Sequence, residues 1–288
     1  MTATGGEDRA IRRAVRRRSR LPTILGVAGL VIVGALVVTA VFAPWLAPYD
    51  PTERIARPFL FPSAEHPLGT NDVGHDLLSE IIFGSRVSLM VGLVAATVAL
   101  LIGTTVGVIA GYYPKRLGST LMRGVDVILI LPFLPLLIVL AAYLGRSLLN
   151  TILVIGFLIW AEPARIIRSQ VLSLRSREYV LAARSMGAPD RWTIIRHIVP
   201  RTALLATGSF VRAVSGAILL EAALSFLGLG DPIQKSWGST LYWAQTRGAF
   251  LTPAWKWWVL PPGILIMLAS LGFALIAFSL EERINPRL

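Results

Sequence analysis

Cysteine is absent from the 288 residues, so neither a disulfide nor a thiolate-held metal can form. Histidine is scarce: only His66, His75 and His197 occur, and no two stand at an HxxxH spacing that could hold a metal. The dipeptide Gly-Lys is missing, and with it any Gly-x-x-x-x-Gly-Lys-Ser/Thr loop to cradle a nucleotide's phosphates. No Gly-x-Ser-x-Gly elbow presents a nucleophile. The chain is therefore expected to be no enzyme, with no catalytic residue, metal or cofactor, and any energy source must come from another chain. Charge is also sparse, at 15% of residues.

What fills the sequence instead is apolar. Hydrophobic residues make up 55%, and mean hydropathy is +0.67, a balance that soluble domains seldom reach because they must cover their surface with polar groups. The net charge of +12 would suggest nucleic acid in a soluble protein, but here the basic residues sit between long apolar runs, so no nucleic acid is expected. Six runs predict six membrane-spanning helices: Ile24–Ala43, Val87–Gly111, Val125–Leu144, Thr151 to about Ile167, Ala203–Leu224 and Trp257–Leu280. The first run is a full span in length and is followed by Pro44, so it reads as an uncleaved helix and not as a signal peptide. The chain divides into a basic segment 1–23, a first helix 24–46 with an external loop to residue 86, a core 87–280, and a tail 281–288. Six prolines and six acidic residues between positions 44 and 86 mark that stretch as extramembrane.

Charge asymmetry orients these spans. Segments 1–23, 112–124, 163–202 and 281–288 carry 20 Lys and Arg, whereas 44–86, 145–150 and 225–256 carry 7. The basic face is expected to be cytoplasmic, which puts both termini inside. Trp45, Trp160, Trp255, Trp257 and Trp258 stand at proposed span ends, where interfacial aromatics gather. Gly103, Gly107 and Gly111 form two GxxxG steps on one face of the second span, a spacing that lets another backbone approach closely. Arg212 and Glu221 are charges inside the fifth span, where charge is costly. Two readings remain open for them: they line a translocation path, with Glu221 recognising an amine, or they pair with other helices.

The loop 168–202 is too patterned for a linker. The fourth helix is expected to continue out of the membrane through Val171, Leu172 and Leu174. Glu178 to Ser185 reads as a short helix of strong formers, Gly187 as its left-handed C′ residue, and Asp190 as the cap of a second short helix that Pro200 closes, unless Pro200 opens the next span. Such a helix–turn–helix could enter a groove on a partner, admitted by small alanines and flanked by arginines, or lie on anionic membrane lipid.

At this point the residues resemble a family. Tyr179-Val-Leu-Ala-Ala-Arg-Ser-Met-Gly-Ala188, then Arg196-His-Ile-Val-Pro200, is similar to the coupling loop of bacterial ABC importer permeases. His66-Pro-Leu-Gly-Thr-Asn-Asp-Val-Gly-His-Asp76, Glu221-Ala-Ala-Leu-Ser-Phe-Leu-Gly-Leu-Gly230, Ser236-Trp-Gly238 and Asn285-Pro-Arg-Leu288 resemble the C-type permease of the dipeptide, oligopeptide and nickel branch. The resemblance covers the chain from about residue 20 onward. It implies an all-α type I importer permease fold in the bacterial cytoplasmic membrane. It also implies a second homologous permease, two ATPase subunits that bind the ATP, and an extracytoplasmic substrate-binding protein. Glu178, Tyr179, Ala182, Ala183, Arg184, Gly187, Ala188, Asp190, Ile198 and Pro200 would then form the coupling loop. Peptides are the implied cargo, with nickel, haem, glutathione or another small ligand as the alternative. The sequence departs from the family at Leu181, where a Glu commonly opens the motif, at Glu162-Pro163, and at Ala277-Phe-Ser-Leu-Glu-Glu282.

Overall fold

Each charge-free apolar run becomes a helix because lipid offers the backbone no water to bond, so a spanning segment must satisfy its own N–H and C=O groups. The structure, a computed structural model, describes residues 21–284. The arginine-rich residues 1–20 and the tail Asn285–Leu288 lie outside the described residues. The elements in order are α1 (Leu21–Val41), a four-residue α2 (Ala43–Leu46), α3 (Leu77–Tyr112), α4 (Arg116–Ile130), α5 (Phe133–Leu144), α6 (Leu148–Ile159), α7 (Ala161–Arg175), α8 (Glu178–Ser185), α9 (Asp190–Thr193), α10 (Val199–Phe226), α11 (Trp237–Thr246) and α12 (Leu260–Ile284). No strand occurs among the described residues. Five segments are long and apolar enough to cross a membrane, α6 and α7 counting as one of 28 residues, and the pair α4–α5 makes six if taken as one bent crossing.

Four boundaries differ from the sequence reading. The second span starts at Leu77, not Val87. Asp76 caps it by accepting from the Ser79 N–H at 2.8 Å, while the His66 ring contacts the other carboxylate oxygen at 3.0 Å. The expected basic loop 112–124 is mostly helix: α4 begins at Arg116, because Gly118 lets it close down on the Ala110 and Tyr113 carbonyls. The fourth crossing begins at Leu148 and not Thr151, with the Ser147 hydroxyl accepting from Asn150 N–H at 3.1 Å. The stretch 225–256 is not all loop, since the Ser236–Ser239 capping box starts α11.

The third span also differs. It is two helices, α4 and α5, meeting at 90°. Pro132 and Pro135 cause this, since neither can donate to the carbonyl four residues before it. Elsewhere proline is absorbed more gently. A π-turn, Ile194–Ile198, precedes Pro200, and another, Trp255–Val259, precedes Pro261 and Pro262. The wider turn makes room for the ring where a regular helix would clash with it. Pro200 therefore opens α10 and does not close the helix before it.

The 36-residue α3 is the central strut, and α7 lies along it. A Cβ at Gly103 would sit 2.8 Å from the Trp160 carbonyl oxygen, at Gly107 2.7 Å from that of Ala164, and at Gly111 2.6 Å from the Val171 Cβ. The GxxxG face thus meets α7 with its backbone. On the far side α1 and α12 cross closely, where a Cβ on Gly29 would stand 2.6 Å from the Gly272 carbonyl oxygen. The outward face of α1 is an unbroken apolar strip through Ile24, Leu30, Val31 and Val38. One end of the bundle collects the C-termini of α3 and α7, the α8–α9 elbow and the start of α10. The other collects the start of α3, the end of α10, and α11.

Gly107→Leu is expected to wedge α3 from α7 and to lower stability by about 1–3 kcal/mol, whereas Gly34→Ala, with nothing within 4 Å, should be near neutral. Thermal unfolding in detergent compares the two; equal melting temperatures would show that the close approach is not needed.

Candidate functional site

The elbow is built from α8, a turn and α9. Val180 and Ala183, three residues apart on one helical face, are buried, as is Ile198 beyond the turn. Val180 and Ile198 join Tyr112, Ile167 and Val171 in a single apolar cluster that fastens the elbow to α3 and α7. Ala183 and Ile198, read from sequence as part of a loop meeting a partner, are therefore occupied within this chain. Ala182, Leu181, Arg184, Met186, Trp192 and Ile195 point outward instead, with Met186 83% exposed. Glu178 is also exposed, and Tyr179 and Ala188 are half-buried.

The turn is a Schellman motif. The Gly187 N–H donates to the Arg184 carbonyl at 3.0 Å, and the Ala188 N–H to that of Ala183 at 3.1 Å. Gly187 sits at φ 84°, and no atom lies within 4 Å of a Cβ placed there. Only backbone conformation, not space, requires glycine at this position.

Asp190 does not cap α9, as its place in the sequence suggests; Pro189 holds the cap position, and Asp190 is the first helical residue. Its carboxylate reaches α3 instead, accepting from the Tyr112 hydroxyl at 2.7 Å and the Tyr113 hydroxyl at 3.0 Å. The Tyr112 hydrogen bond, chiefly, holds the Asp190 carboxyl below its ordinary range, with help from Tyr113 and from the charges of Arg184 and Arg175, and against a smaller push from desolvation. The ionised clasp therefore persists at neutral pH, and its contribution is lost only as pH falls below the ordinary carboxylate value through the lowered one. Across the turn, the Arg201 guanidinium lies 4.0 Å over the Tyr179 ring. The sequence reading missed both tyrosines; an adjacent Tyr pair ahead of Pro114 at a span's end was the available signal.

Glu221 and Arg212 are not brought together. Glu221 is buried where α3, α10 and α11 meet, accepting from Ser88 at 3.0 Å and Ser225 at 2.7 Å, while Ser88 in turn accepts from the Trp237 N–H at 3.2 Å. Its carboxylate faces this chain's own core, so a path surface is not where the structure puts it; Ser88 of α3 and Ser225, one turn along α10, close over it. Arg212 pairs with Glu281 of α12, and both are half-exposed. A second half-exposed pair, Arg165 with Asp126, bridges α7 to α4 at 2.5 Å.

With that geometry in view, comparison with known proteins decides the family. Residues 103–288 match the family of binding-protein-dependent transport system inner membrane components, and residues 24–67 match the N-terminal TM domain of oligopeptide transport permease C. The chain belongs to this permease family. The dipeptide transport system permease protein DppC of Alkalihalophilus pseudofirmus is 37% identical over 270 residues, 92% of this chain and 86% of that protein. The di/tripeptide transport system permease protein DppC of Pseudomonas aeruginosa is 36% identical over 90% of this chain and 87% of its own length. The oligopeptide transport system permease protein OppC of Bacillus subtilis is 33% identical over 92% of this chain and 86% of its own length. The permease is thus a multi-pass protein of the inner membrane and a transport subunit of an ABC system.

Two variants probe this geometry. Glu221→Ala should leave the Ser88 and Ser225 hydroxyls without their acceptor and cost about 1–3 kcal/mol, read as a lower melting temperature and yield. Glu221→Gln, which can still accept from one serine while another hydroxyl rotates, should retain most of both. If Glu221→Ala is as stable as wild type, the carboxylate does not hold the three helices together.

Proposed function

We propose that this permease is the C-type subunit of a peptide importer, that its α8–α9 elbow lies in the cytoplasm, and that the elbow seats in a groove on one of two ATPases. The observation that carries the reading is the elbow's division of labour. Val180, Ile198 and Asp190 lock it to α3 and α7, while Leu181, Met186, Trp192 and Ile195 lie on the outward side among Arg184, Arg191 and Arg196. An apolar patch rimmed by charge suits a protein groove. A stiff elbow passes a partner's displacement to the bundle as rigid-body motion, not as local bending. The excess of Lys and Arg at this end supports a cytoplasmic placement. A second permease would complete the path, and an external binding protein would deliver cargo to the loops around α11 and residues 47–76. Peptide cargo rests on the names of the relatives, and nothing in the geometry favours nickel or haem.

The absence of native cysteine makes a direct test simple. Met186→Cys should react with a membrane-impermeant thiol reagent in inverted vesicles but not in intact cells, and co-expressed ATPase should block the reaction. Labelling from outside the cell, or labelling that the ATPase leaves unchanged, would overturn the reading. Gly187→Val, which forces a β-branched residue into a left-handed turn at a cost of about 1–2 kcal/mol, should insert normally yet lose ATP-driven uptake. Normal uptake by that variant counts against a stiff elbow.

A further inference from the structure

We infer that the break between α4 and α5 is a polar station on the translocation path, where the open backbone of residues 128–134 hydrogen-bonds the main chain of the peptide in transit. The inference rests on the importer reading above and names the site within it.

The starting observation is a deficit of hydrogen bonds. In a continuous helix the carbonyls of Ile128 and Leu131 would accept from residues 132 and 135, but both are proline and have no N–H to give. The 90° bend separates the next two pairs as well, so the Leu129 and Ile130 carbonyls receive nothing from Phe133 and Leu134. The backbone bonds that span the break are Leu131 N–H to the Val127 carbonyl at 3.2 Å and Leu136 N–H to the Pro132 carbonyl at 3.1 Å. Four acceptors and two donors are left open. Ile130 is 81% exposed, and Leu131, Pro132 and Leu134 are exposed with it.

Depth turns this into a constraint. Val125, one turn before the break, lies in the same cluster as Ala99 and Trp160, and Ala99 is near the middle of α3. Leu137, just after the break, packs with Val91 and Ala95. The open groups therefore sit at mid-bundle. Hydrocarbon cannot satisfy them, and irregular backbone at that depth is tolerated only where it is covered by protein or lines water.

A second, independent feature chooses water. Asp126 stands one helical turn before Ile130, on the same face of α4, and its ion pair with Arg165 is half-exposed on both sides. A half-exposed charged pair one turn from the break, on the side of α4 that leads to the basic end of the bundle, keeps to water and not lipid. The chemistry of the cavity follows from the excess of acceptors: carbonyls at the negative end of α4 suit amide N–H or an ammonium, and the two free N–H groups of α5 suit a carbonyl or carboxylate. A peptide main chain supplies both at short intervals, whatever its side chains. Backbone recognition of this kind would pass many peptides and hold none tightly.

The test uses the assembled importer and single cysteines in the naturally cysteine-free chain. Ile130→Cys and Leu134→Cys should react with a charged methanethiosulfonate about tenfold faster than Val38→Cys on the lipid-facing strip of α1. Tri-alanine at twice its Kd should slow the Ile130→Cys reaction about threefold. Pro132→Ala with Pro135→Ala restores two donors and heals the helix, and should cut tri-alanine uptake about tenfold while ATP hydrolysis persists. Wild-type uptake of tri-alanine is measured alongside. If the wild type carries none, the importer reading fails and this site with it. If the wild type transports but Ile130→Cys is as inert as Val38→Cys, is unprotected by tri-alanine, or cross-links to the second permease in place of reacting, the site alone is overturned.

Discussion

The close approach of α3 and α7 is the constraint on which the other arrangements rest. Three glycines four residues apart let the α7 backbone lie almost against that of α3, within reach of the Trp160 and Ala164 carbonyls and the Val171 side chain. That contact fixes the direction in which α7 leaves the bundle, and so where α8 begins. Tyr112, one residue beyond the last of these glycines, is then in place to receive Asp190. A side chain at any of the three positions would move the exit of α7 by ångströms and carry the elbow away from its clasp.

A second theme is how the chain handles proline. Near Pro200 and Pro261-Pro262 the helix widens into a π-turn and runs on into α10 or α12. At Pro132 and Pro135 two prolines three residues apart leave two consecutive turns without donors, and the helix bends instead. The same residue therefore yields continuity or a corner according to spacing. The corner falls where the bundle's own helices leave a face uncovered.

Much of this was legible in the sequence. Apolar runs set the crossings, GxxxG marked the face of α3 that meets a neighbour, and Gly187 marked the left-handed turn between two short helices. What stayed hidden depended on partners far along the chain. Asp190 looks like a cap until Tyr112 and Tyr113, some 77 residues earlier, are brought beside it. Glu221 looks like a path residue until Ser88 and Trp237 close over it. The start of α3 was misplaced because six prolines upstream suggested disorder of pattern up to Arg86, whereas Asp76 and His66 fix the helix end ten residues sooner. Leu181, the departure from the family motif, proves to lie on the outward face of α8, where losing a carboxylate disturbs no internal contact.

The space around Gly187 has a consequence for how such systems diversify. Because nothing packs on the outer side of the turn, the residues that anchor the elbow and those it leaves exposed belong to separate sets. The exposed set can drift in size and charge without disturbing the anchored one. Under the coupling role proposed for the elbow, related importers in one cell could keep the same mechanical lever while altering its tip, each lever matched to its own motor and deaf to the others.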